Sequence, residues 1–473
     1  MNKVNEGHTY FIILGATGDL ASKKIIPSLY HLFIKNRLPR DFSVVAFARR
    51  EITTDEFREY SKELLKKHKD ISSDIRHVNA FLRKIYYHQG HFENVEVFSQ
   101  LSEYLGKGKN INKLIYLAVP PVYYGKLFNN LKISGLSERD ELGWTRILVE
   151  KPFGGDFQGS RKLDLLLGKL FKEEQIYRID HYLAKDMIQN ILIFRFSNNI
   201  FEPSWNNKYI EKIEINVPES MDVSGRGKFY DGVGALRDVG QNHLLQMLAV
   251  VTMENPKSFN SDAIRKKRAE ILKYLVVPSR NEVVNNSFRA QYVGYQDIEG
   301  VEKGSKVETY FKLVGHLSHP KWRGVPIIFE SGKVLSKQYK EIVITFRHPS
   351  PCLCQNGHHN SQNKVVLSID PREEIAISLY TKKPGYSSDV IQKTFPLEHR
   401  LRSDKFPQTE EYEKLLMDAI NGDQTLFVST KEVASMWKFT DPFVKAWKKG
   451  LVPLNKYSPY SDDILKMSSK IGQ

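Results

Sequence analysis

Residues 10–21 read Tyr-Phe-Ile-Ile-Leu-Gly-Ala-Thr-Gly-Asp-Leu-Ala, and a helical pattern over Leu20–Ile34 follows this apolar run. Glycines let the backbone turn tightly and approach a pyrophosphate, which the N–H groups at the start of the helix then bind. The spacing is GxxGxxA rather than GxGxxG, so a turn without a ligand remains an alternative when the motif is taken alone. The nucleotide-binding turn is predicted to comprise Gly15, Ala16, Thr17, Gly18, Asp19, Leu20 and Ala21.

The first 180 residues alternate short apolar runs with amphipathic segments. The predicted strands are Tyr10–Leu14, Ser43–Ala48, Lys84–His88, Lys113–Ala118, Arg146–Glu150 and Gln175–Ile179. The predicted helices between them are Leu20–Ile34, Thr54–His68, Val95–Leu105, Val122–Lys132 and Phe157–Phe171. Buried strands separated by helices indicate a parallel sheet covered on both faces, so residues 1–180 are expected to form an α/β Rossmann-like dinucleotide-binding domain.

The pattern changes after residue 185. A predicted helix over Asp186–Phe196 precedes longer runs in which apolar and polar residues alternate, which is typical of an antiparallel sheet with one covered face. These runs are Ile210–Val217, Lys306–Val314, Glu341–Phe346, Lys364–Ile369 and Glu374–Tyr380. With helices predicted over Gly234–Val251 and Glu410–Ile420, residues 181–473 are expected to form an α+β domain.

Composition narrows the class of protein. The chain has 473 residues, 41% of them hydrophobic, and a net charge of +15. The basic residues are scattered rather than interleaved with aromatics, so we expect no nucleic-acid binding but a surface that favours anionic substrates. No run of about 18 apolar residues indicates a membrane span. With two cysteines and no signal-peptide pattern, we expect a cytoplasmic protein.

The second predicted strand ends in Ala48-Arg49-Arg50-Glu51. NAD-binding domains usually end this strand with Asp or Glu, which accepts hydrogen bonds from the ribose 2′-OH. An arginine suits a 2′-phosphate instead, so Arg49 favours NADP. Glu51 leaves some use of NAD open, and an ordinary exposed loop charge is the alternative for Arg49.

Residues 178–185 read Arg-Ile-Asp-His-Tyr-Leu-Ala-Lys. A carboxylate, an imidazole, a phenol and an ammonium cannot all be buried side by side without polar partners. A bound phosphate would satisfy His181, Tyr182 and Lys185 together, which leaves Asp180 to orient a base. Lys151 follows the fifth strand at the carboxyl edge of the sheet, where ligands bind, although a single lysine there is more often a surface residue.

A polar loop, His348–Asn363, contains Cys352, Cys354, His358 and His359. Its spacing matches no common zinc site, so we expect a surface loop and no metal.

Four motifs in order resemble those of glucose-6-phosphate dehydrogenases. The family's GxxGDLA, EKPFG, RIDHYLGK and RDxxQNHLLQ match Gly15–Ala21, Glu150–Gly154, Arg178–Lys185 and Arg237–Gln246, with Ala184 in place of the usual glycine. Gly225-Arg226-Gly227 and Pro326 also fall on familiar patterns. The resemblance covers at least residues 10–346.

The resemblance implies oxidation of glucose 6-phosphate by NADP to 6-phosphoglucono-δ-lactone, the first step of the oxidative pentose phosphate pathway, and a second domain with a large, mainly antiparallel sheet. It implies His243 as general base and Asp180 as its orienting partner. The implied substrate contacts are Lys151, His181, Tyr182, Lys185, Glu219, Asp238 and Lys333. The implied coenzyme contacts are Gly15–Ser22, Arg49, Tyr124 and Lys151. A dimer or tetramer formed through the large sheet is implied as well, and a second, structural NADP site known in some members is left open.

The chemistry agrees with these roles. Hydride leaves C1 of the sugar as its hydroxyl proton is removed, and a largely neutral histidine can take that proton near pH 7. A carboxylate on the far ring nitrogen fixes the tautomer and stabilises the imidazolium. From residues alone, His243 is more often a helix histidine packed in an apolar face.

One position departs from the family pattern. Gln338 stands where a second basic residue is usual, and Lys337 or Lys340 are the candidates to replace it, although a shift of one residue on a strand turns the side chain to the other face. Two other functions stay open: an oxidoreductase acting on another sugar or sugar acid, and a non-catalytic nucleotide-sensing or scaffold protein.

Overall fold

The computed structural model describes residues 7–67, 75–106, 110–139, 141–349, 362–386, 390–398 and 410–472. The cysteine–histidine loop Cys352–His359 lies outside the described residues. Within the described residues, sixteen strands form two sheets. In chain order they are β1 His8–Leu14, β2 Phe42–Ala48, β3 Ile85–Gln89, β4 Ile111–Leu117, β5 Thr145–Val149, β6 Ile176–Ile179, β7 Ile210–Pro218, β8 Ser287–Tyr292, β9 Tyr310–Gly315, β10 Ile327–Gly332, β11 Lys340–Phe346, β12 Lys364–Asp370, β13 Glu374–Lys382, β14 Val390–Glu398, β15 Phe427–Val428 and β16 Leu454–Tyr457.

Helices surround both sheets. They are α1 Ile26–Ile34, α2 Thr54–Lys67, α3 Ile75–Leu82, α4 Val95–Leu105, α5 Tyr124–Ile133, α6 Phe157–Gly168, α7 Asp186–Phe196, α8 Gly227–Asp231, α9 Leu245–Thr252, α10 Ser261–Leu272, α11 Arg280–Asn285, α12 Glu411–Asn421, α13 Thr430–Lys448 and α14 Asp463–Met467. Two π-helical segments, Ala21–Ile25 and Leu236–Leu244, run directly into α1 and α9. Short 3₁₀ turns occupy Pro121–Tyr123, Glu173–Gln175, Glu202–Ser204 and Tyr295–Asp297.

The first sheet has the strand order β15-β6-β5-β4-β1-β2-β3, and β1 to β6 are all parallel. Every residue of β2 and β4 is buried, as expected for a parallel sheet covered on both faces. The strand order reverses between β1 and β4, so the connections leaving these two strands diverge and open a crevice at their carboxyl ends. The predicted Rossmann-like α/β sheet is confirmed.

The second sheet has nine strands in the order β14-β13-β12-β11-β7-β10-β9-β8-β16. Its pairings are antiparallel except for β10 with β7 and β16 with β8. The prediction of an α+β region with a large, mainly antiparallel sheet is therefore confirmed. The sequence prediction had no counterpart for strands β8, β10, β14, β15 and β16 or for helices α3, α8, α10, α11, α13 and α14.

The C-terminal part of the chain also completes the first sheet. In β15, Phe427 pairs with Ile179 and Val428 with Arg178, so the last parallel strand gains an antiparallel neighbour. Arg178 is 1% exposed and donates to Asp164 at 2.7 Å, to Glu173 at 3.1 Å and to Thr430 at 2.7 Å. This network fixes the end of β6, immediately before Asp180. Division into residues 1–180 and 181–473 stays a prediction.

Within the described part of the chain, no helix combines the length and apolar character needed to cross a membrane.

Candidate active site

The glycine turn has the close approach that a dinucleotide requires. Gly15 has φ +96°, and a Cβ there would lie 2.4 Å from the carbonyl oxygen of Ala118, so only glycine fits beside the end of β4. The Gly18 N–H donates to the carbonyl oxygen of Gly15 at 3.0 Å and closes the turn before the helix. The residues present therefore fit a dinucleotide pyrophosphate at the crevice between β1 and β4.

The other residues of the turn have different surroundings. Ala16 and Ala21 are buried, whereas Thr17 and Leu20 are partly exposed. Asp19 is exposed and pairs with Lys23 at 2.9 Å. The Ser22 hydroxyl donates to the carbonyl oxygen of Gly18 at 2.9 Å and lies 2.9 Å from the hydroxyl of Tyr60, so it is engaged within the protein.

Arg49 is exposed directly after β2, where a 2′-phosphate reader is expected. Its backbone carbonyl accepts from the Gln89 amide at 3.3 Å. Sequence reasoning gave Arg50 no role, but its guanidinium lies 5.9 Å from the Tyr60 ring. Tyr124 lies in the core and is 3% exposed. Burial raises its pKa, and the charge of Glu150 raises it further.

The predicted catalytic pair forms. Asp180 follows β6, His243 lies in the π-helical segment, and their Oδ1 and Nδ1 atoms are 2.5 Å apart. Asp180 and His243 are 0% and 2% exposed. Asp180 Oδ1 also accepts the Tyr182 backbone N–H at 3.0 Å, which leaves Oδ2 without a hydrogen-bond partner among the described residues.

Burial and neighbouring charges tune this pair. Burial lowers the pKa of His243, and the ammonium of Lys151 lowers it further, against the opposing effect of Asp180. Burial raises the pKa of Asp180, but the charge and hydrogen bond of His243 outweigh it, so the pKa is lowered. At neutral pH the arrangement is a carboxylate beside a neutral imidazole, which is the state a general base needs.

Lys151 closes the free side of the imidazole. It follows β5, separated from it by Glu150, and its Nζ lies 2.8 Å from His243 Nε2. It also donates to the backbone carbonyl oxygen of Asp238 at 2.7 Å and lies 3.4 Å from Asp238 Oδ1. One lysine thus joins the carboxyl edge of the first sheet to the imidazole of His243.

His181 and Tyr182 pack around the same imidazole. The Tyr182 ring stacks on that of His243 at 3.9 Å between centroids, and the His181 ring meets it edge-on at 4.7 Å. Burial, then the charges of His243 and Lys151, hold the pKa of His181 well below its usual value. A cavity of about 290 Å³ opens beside these rings.

Glu219, Asp238 and Lys333 also line the cavity. Lys333 forms an ion pair with Glu219 and lies 3.7 Å from Asp238 Oδ2, while Arg226 lies 3.4 Å from the same oxygen. Burial raises the pKa of Asp238, but Lys151, Lys333 and Arg226 outweigh it and lower the pKa. Arg226 had been noted only as part of a familiar pattern, without a role. The cavity also contains Pro152, Phe229, Val233, Arg237 and Val239.

Two predicted positions differ from a simple phosphate pocket. Lys185 does not line the cavity; its Nζ donates to Glu411 of α12 at 2.7 Å. Gln338 accepts from the Ser220 hydroxyl at 2.8 Å. Lys340 instead lies 5.7 Å from the Tyr182 ring centroid and forms an ion pair with Asp370. Lys337 and Lys340 are the two candidates for the basic residue that the family usually has at position 338. Of these, Lys340 lies beside the cavity that Tyr182 lines.

The side chains of Asp180, His181 and His243 also come close enough to hold a cation, with potential ligand atoms within 4.8 Å of one another. The Lys151 ammonium occupies the accessible nitrogen of His243, however, and would repel a metal ion there. The trio therefore fits acid–base chemistry better than metal binding.

Family models and individual relatives of this chain agree on one family. Residues 12–190 match the family model "Glucose-6-phosphate dehydrogenase, NAD binding domain", and residues 192–469 match "Glucose-6-phosphate dehydrogenase, C-terminal domain". The chain is 38% identical to the glucose-6-phosphate 1-dehydrogenase of Borreliella burgdorferi over 447 residues, covering 92% of this chain and 91% of the relative.

Two further relatives extend the comparison. Glucose-6-phosphate 1-dehydrogenase 5, cytoplasmic, of Arabidopsis thaliana is 35% identical, with coverage of 97% of this chain and 89% of the relative. A solved structure described as glucose-6-phosphate dehydrogenase in complex with its substrate glucose-6-phosphate superposes with a TM-score of 0.89 at 31% identity, covering 100% of this chain and 99% of that one.

Proposed function

The chain belongs to the glucose-6-phosphate dehydrogenase family, and from this premise we propose how its cavity performs the reaction. It is an oxidoreductase that oxidises D-glucose 6-phosphate to 6-phosphoglucono-δ-lactone with NADP, the first step of the oxidative pentose phosphate pathway. The observation that carries the proposal is the buried Asp180–His243 pair, 2.5 Å between Oδ1 and Nδ1, with Lys151 on the other ring nitrogen.

His243 takes the proton of the C1 hydroxyl at Nε2. Asp180 holds Nδ1–H, so the tautomer with a free lone pair on Nε2 is favoured, and the carboxylate stabilises the imidazolium that forms. Lys151 now donates to Nε2 at 2.8 Å, so the sugar hydroxyl must replace it there. This displacement also moves a positive charge away from the nitrogen that becomes protonated, which lowers the energy of the imidazolium.

The substrate phosphate is held by His181, Tyr182 and Lys185. The hydroxyl of Tyr182 and the ring N–H of His181 donate to it, and the dianion favours protonation of His181, whose pKa is low in the empty cavity. Lys185 reaches the phosphate by leaving Glu411. Glu219, Asp238 and Lys333, which line the same cavity, bind the sugar hydroxyls.

NADP accepts the hydride from C1 when bound. The turn Gly15–Ser22 would hold its pyrophosphate, Arg49 would bind the 2′-phosphate, and Lys151 would face the nicotinamide end. Tyr124 is a further coenzyme contact of the proposal, although its side chain is only 3% exposed. Arg49 supports NADP over NAD because a guanidinium pairs with a phosphate, whereas a carboxylate in its place would repel one. Glu51 leaves a lower activity with NAD open.

The test is the absorbance change at 340 nm with glucose 6-phosphate and either NADP or NAD. We expect NADPH formation, with a higher kcat/KM for NADP. His243→Asn should leave the binding of glucose 6-phosphate nearly intact while lowering kcat by about 10²–10⁴-fold. Near-normal turnover of this variant would remove His243 from the role of base.

The same assay separates the two alternatives. An enzyme for another sugar would turn over glucose as well as glucose 6-phosphate, whereas the cationic residues around His181 and Tyr182 support the phosphorylated sugar. A nucleotide-sensing protein would bind NADP without forming NADPH, which the intact Asp180–His243 pair argues against.

Self-association is the remaining part of the proposal. Strands β13 and β14 expose Leu379, Val390, Phe395 and Leu397, at 44%, 43%, 48% and 51%. An apolar surface at a sheet edge supports a dimer or tetramer formed through the large sheet. Light scattering of the full chain, with Phe395→Glu as the disruptive variant, tests this. The name of the Arabidopsis relative supports a cytoplasmic location.

A further inference from the structure

A second cavity, of about 550 Å³, lies next to the helical segment that carries His243. Its wall combines the loop before α6, the residues before Asp238, the β8–β9 region and the last turns of α13. Arg237 lines both this cavity and the one that contains His243. The two spaces are therefore neighbours that share one side chain, and the mechanism uses only one of them.

The second cavity contains cations that lack acidic partners. Arg237, Arg289, Lys306 and Lys448 line it, and none of the four has a carboxylate oxygen within 4.0 Å among the described residues. The fifth cation, Lys445, pairs with Asp441 at 3.2 Å. The surplus positive charge thus comes from side chains on four different elements, not from one basic run of sequence.

Arg289 is the group that most needs a ligand. It is only 4% exposed, and it projects from β8 with Nε donating to the carbonyl oxygen of Val452 at 3.0 Å and Nη1 to that of Lys306 at 3.3 Å. Nη2 has no acceptor among the described residues. Burial lowers the pKa of Arg289 against the charge of Glu308, with which it forms no ion pair within 4.0 Å among the described residues. A buried guanidinium held only by carbonyl oxygens is costly, so a closer anion would stabilise it.

The carboxylates of the wall are already engaged. Asp231 accepts from the hydroxyls of Tyr295 at 2.8 Å and Ser305 at 2.5 Å. Glu308 accepts the Leu236 N–H at 3.1 Å, and burial raises its pKa, against the charges of Arg237 and Arg289. Asp156 accepts the Gly159 N–H at 2.6 Å. These acids accept from the protein's own donors, and among the described residues none of them forms an ion pair within 4.0 Å with Arg289, Lys306 or Lys448.

We propose that this cavity binds a phosphorylated small molecule, with its phosphate on Arg289, Lys306 and Lys448. Guanidinium groups present paired donors that match phosphate oxygens, which favours a phosphate ester over a monocarboxylate. The indole of Trp447 and the side chain of Val444 form an apolar wall for the rest of the ligand. This site is separate from the substrate cavity and does not depend on the reaction proposed for it.

An anion bound in the second cavity would affect the active site through Arg237. This residue precedes Asp238, whose backbone carbonyl holds Lys151 at 2.7 Å. An anion that attracts the Arg237 guanidinium into the second cavity removes a positive charge from the substrate cavity. We therefore expect the bound molecule to raise the KM for glucose 6-phosphate more than it changes kcat.

The test is calorimetric titration of inorganic pyrophosphate into the full-length protein saturated with glucose 6-phosphate and NADPH, which fill the other anion sites without reacting. We expect one saturable site per chain. Arg289→Gln and the double variant Lys306→Ala/Lys448→Ala should each weaken it about tenfold or more. The double variant Lys303→Ala/Lys449→Ala removes the same charge from neighbouring exposed positions outside the cavity and should change it less than twofold.

Two outcomes overturn the proposal. One is the absence of a saturable heat in the wild-type protein. The other is an equal loss of affinity in the two double variants, which would mean that pyrophosphate senses only surface charge. If Arg289→Gln fails to fold, the exposed double variant and its control still decide, because neither replaces a buried side chain. The substrate assay at 340 nm fails or succeeds independently of this titration.

Discussion

Replacing Asp180 with asparagine removes one negative charge beside His243 and almost nothing of the side chain's shape. With 2.5 Å between Nδ1 and Oδ1, the centres of the delocalised charges of an imidazolium and a carboxylate lie about 4 Å apart. At an effective dielectric constant of about 20 their attraction is about 4 kcal/mol. Because about 1.4 kcal/mol corresponds to a tenfold change in rate, Asp180→Asn should lower kcat by about 10³-fold.

The pH dependence gives a second readout for Asp180→Asn. Asp180 is the group that raises the pKa of His243 against burial and Lys151, so its loss lowers that pKa further. The acid limb of the kcat/KM profile should therefore move to lower pH. Initial rates at 340 nm from pH 5 to 9 measure both effects, with Asp262→Asn, an exposed aspartate of α10, as the matched control. A kcat within tenfold of wild type, with an unmoved acid limb, would refute this account of the pair.

Four other predictions concern single side chains. Arg49→Ala should raise the KM for NADP at least tenfold more than that for NAD, and equal losses in steady-state assays would remove Arg49 from 2′-phosphate recognition. Lys185→Ala should raise the KM for glucose 6-phosphate, since a charge-assisted contact contributes about 1.5–3 kcal/mol. Glu411→Gln, which releases Lys185, should lower that KM; an increase would show that Glu411 positions the lysine productively. Burial raises the pKa of Asp418 from 3.8 to about 6, so its ionisation opposes folding increasingly from pH 3.8 to 6 and fully above. Asp418→Asn should therefore increase the free energy of unfolding at pH 8 by at most about 3 kcal/mol. Thermal melts should show this as a higher midpoint at pH 8 and an unchanged midpoint at pH 3.5.

The first sheet could be predicted because its signals are local. A buried run such as Phe42–Ala48 must be a central strand, and Gly15 must turn because its φ is positive and Ala118 leaves no room for a Cβ. Strands β10 and β14 gave weaker signals. In β14 most residues are exposed, so no alternating apolar pattern marks the strand, and only its pairing with β13 defines it.

In the site, too, features with a local sequence signal were predicted and features that depend on distant residues were not. The roles of Asp180, His181 and Tyr182 were expected from the chemistry crowded into one octapeptide. The ion pair of Lys185 with Glu411 was not, because 226 residues separate the partners and neither residue type is unusual on a surface. The contact of Lys151 with His243 spans 92 residues, and only the packing of the two sheets brings them together.

The position of Lys151 shows that both parts of the chain contribute to the surroundings of His243. Its neighbour Glu150 is buried at the end of β5 and accepts from the hydroxyl of Tyr116 at 2.6 Å and from that of Tyr412, on α12, at 3.3 Å. Burial raises the pKa of Glu150, and the hydrogen bonds from the two phenols offset the cost of burying this carboxyl group. The same three side chains hold β5 against α12 and thereby aim the next residue at His243 Nε2. The first sheet, α12 and His243 are thus linked through the adjacent residues Glu150 and Lys151. A change at Tyr412 should therefore alter turnover, although Tyr412 does not line the substrate cavity.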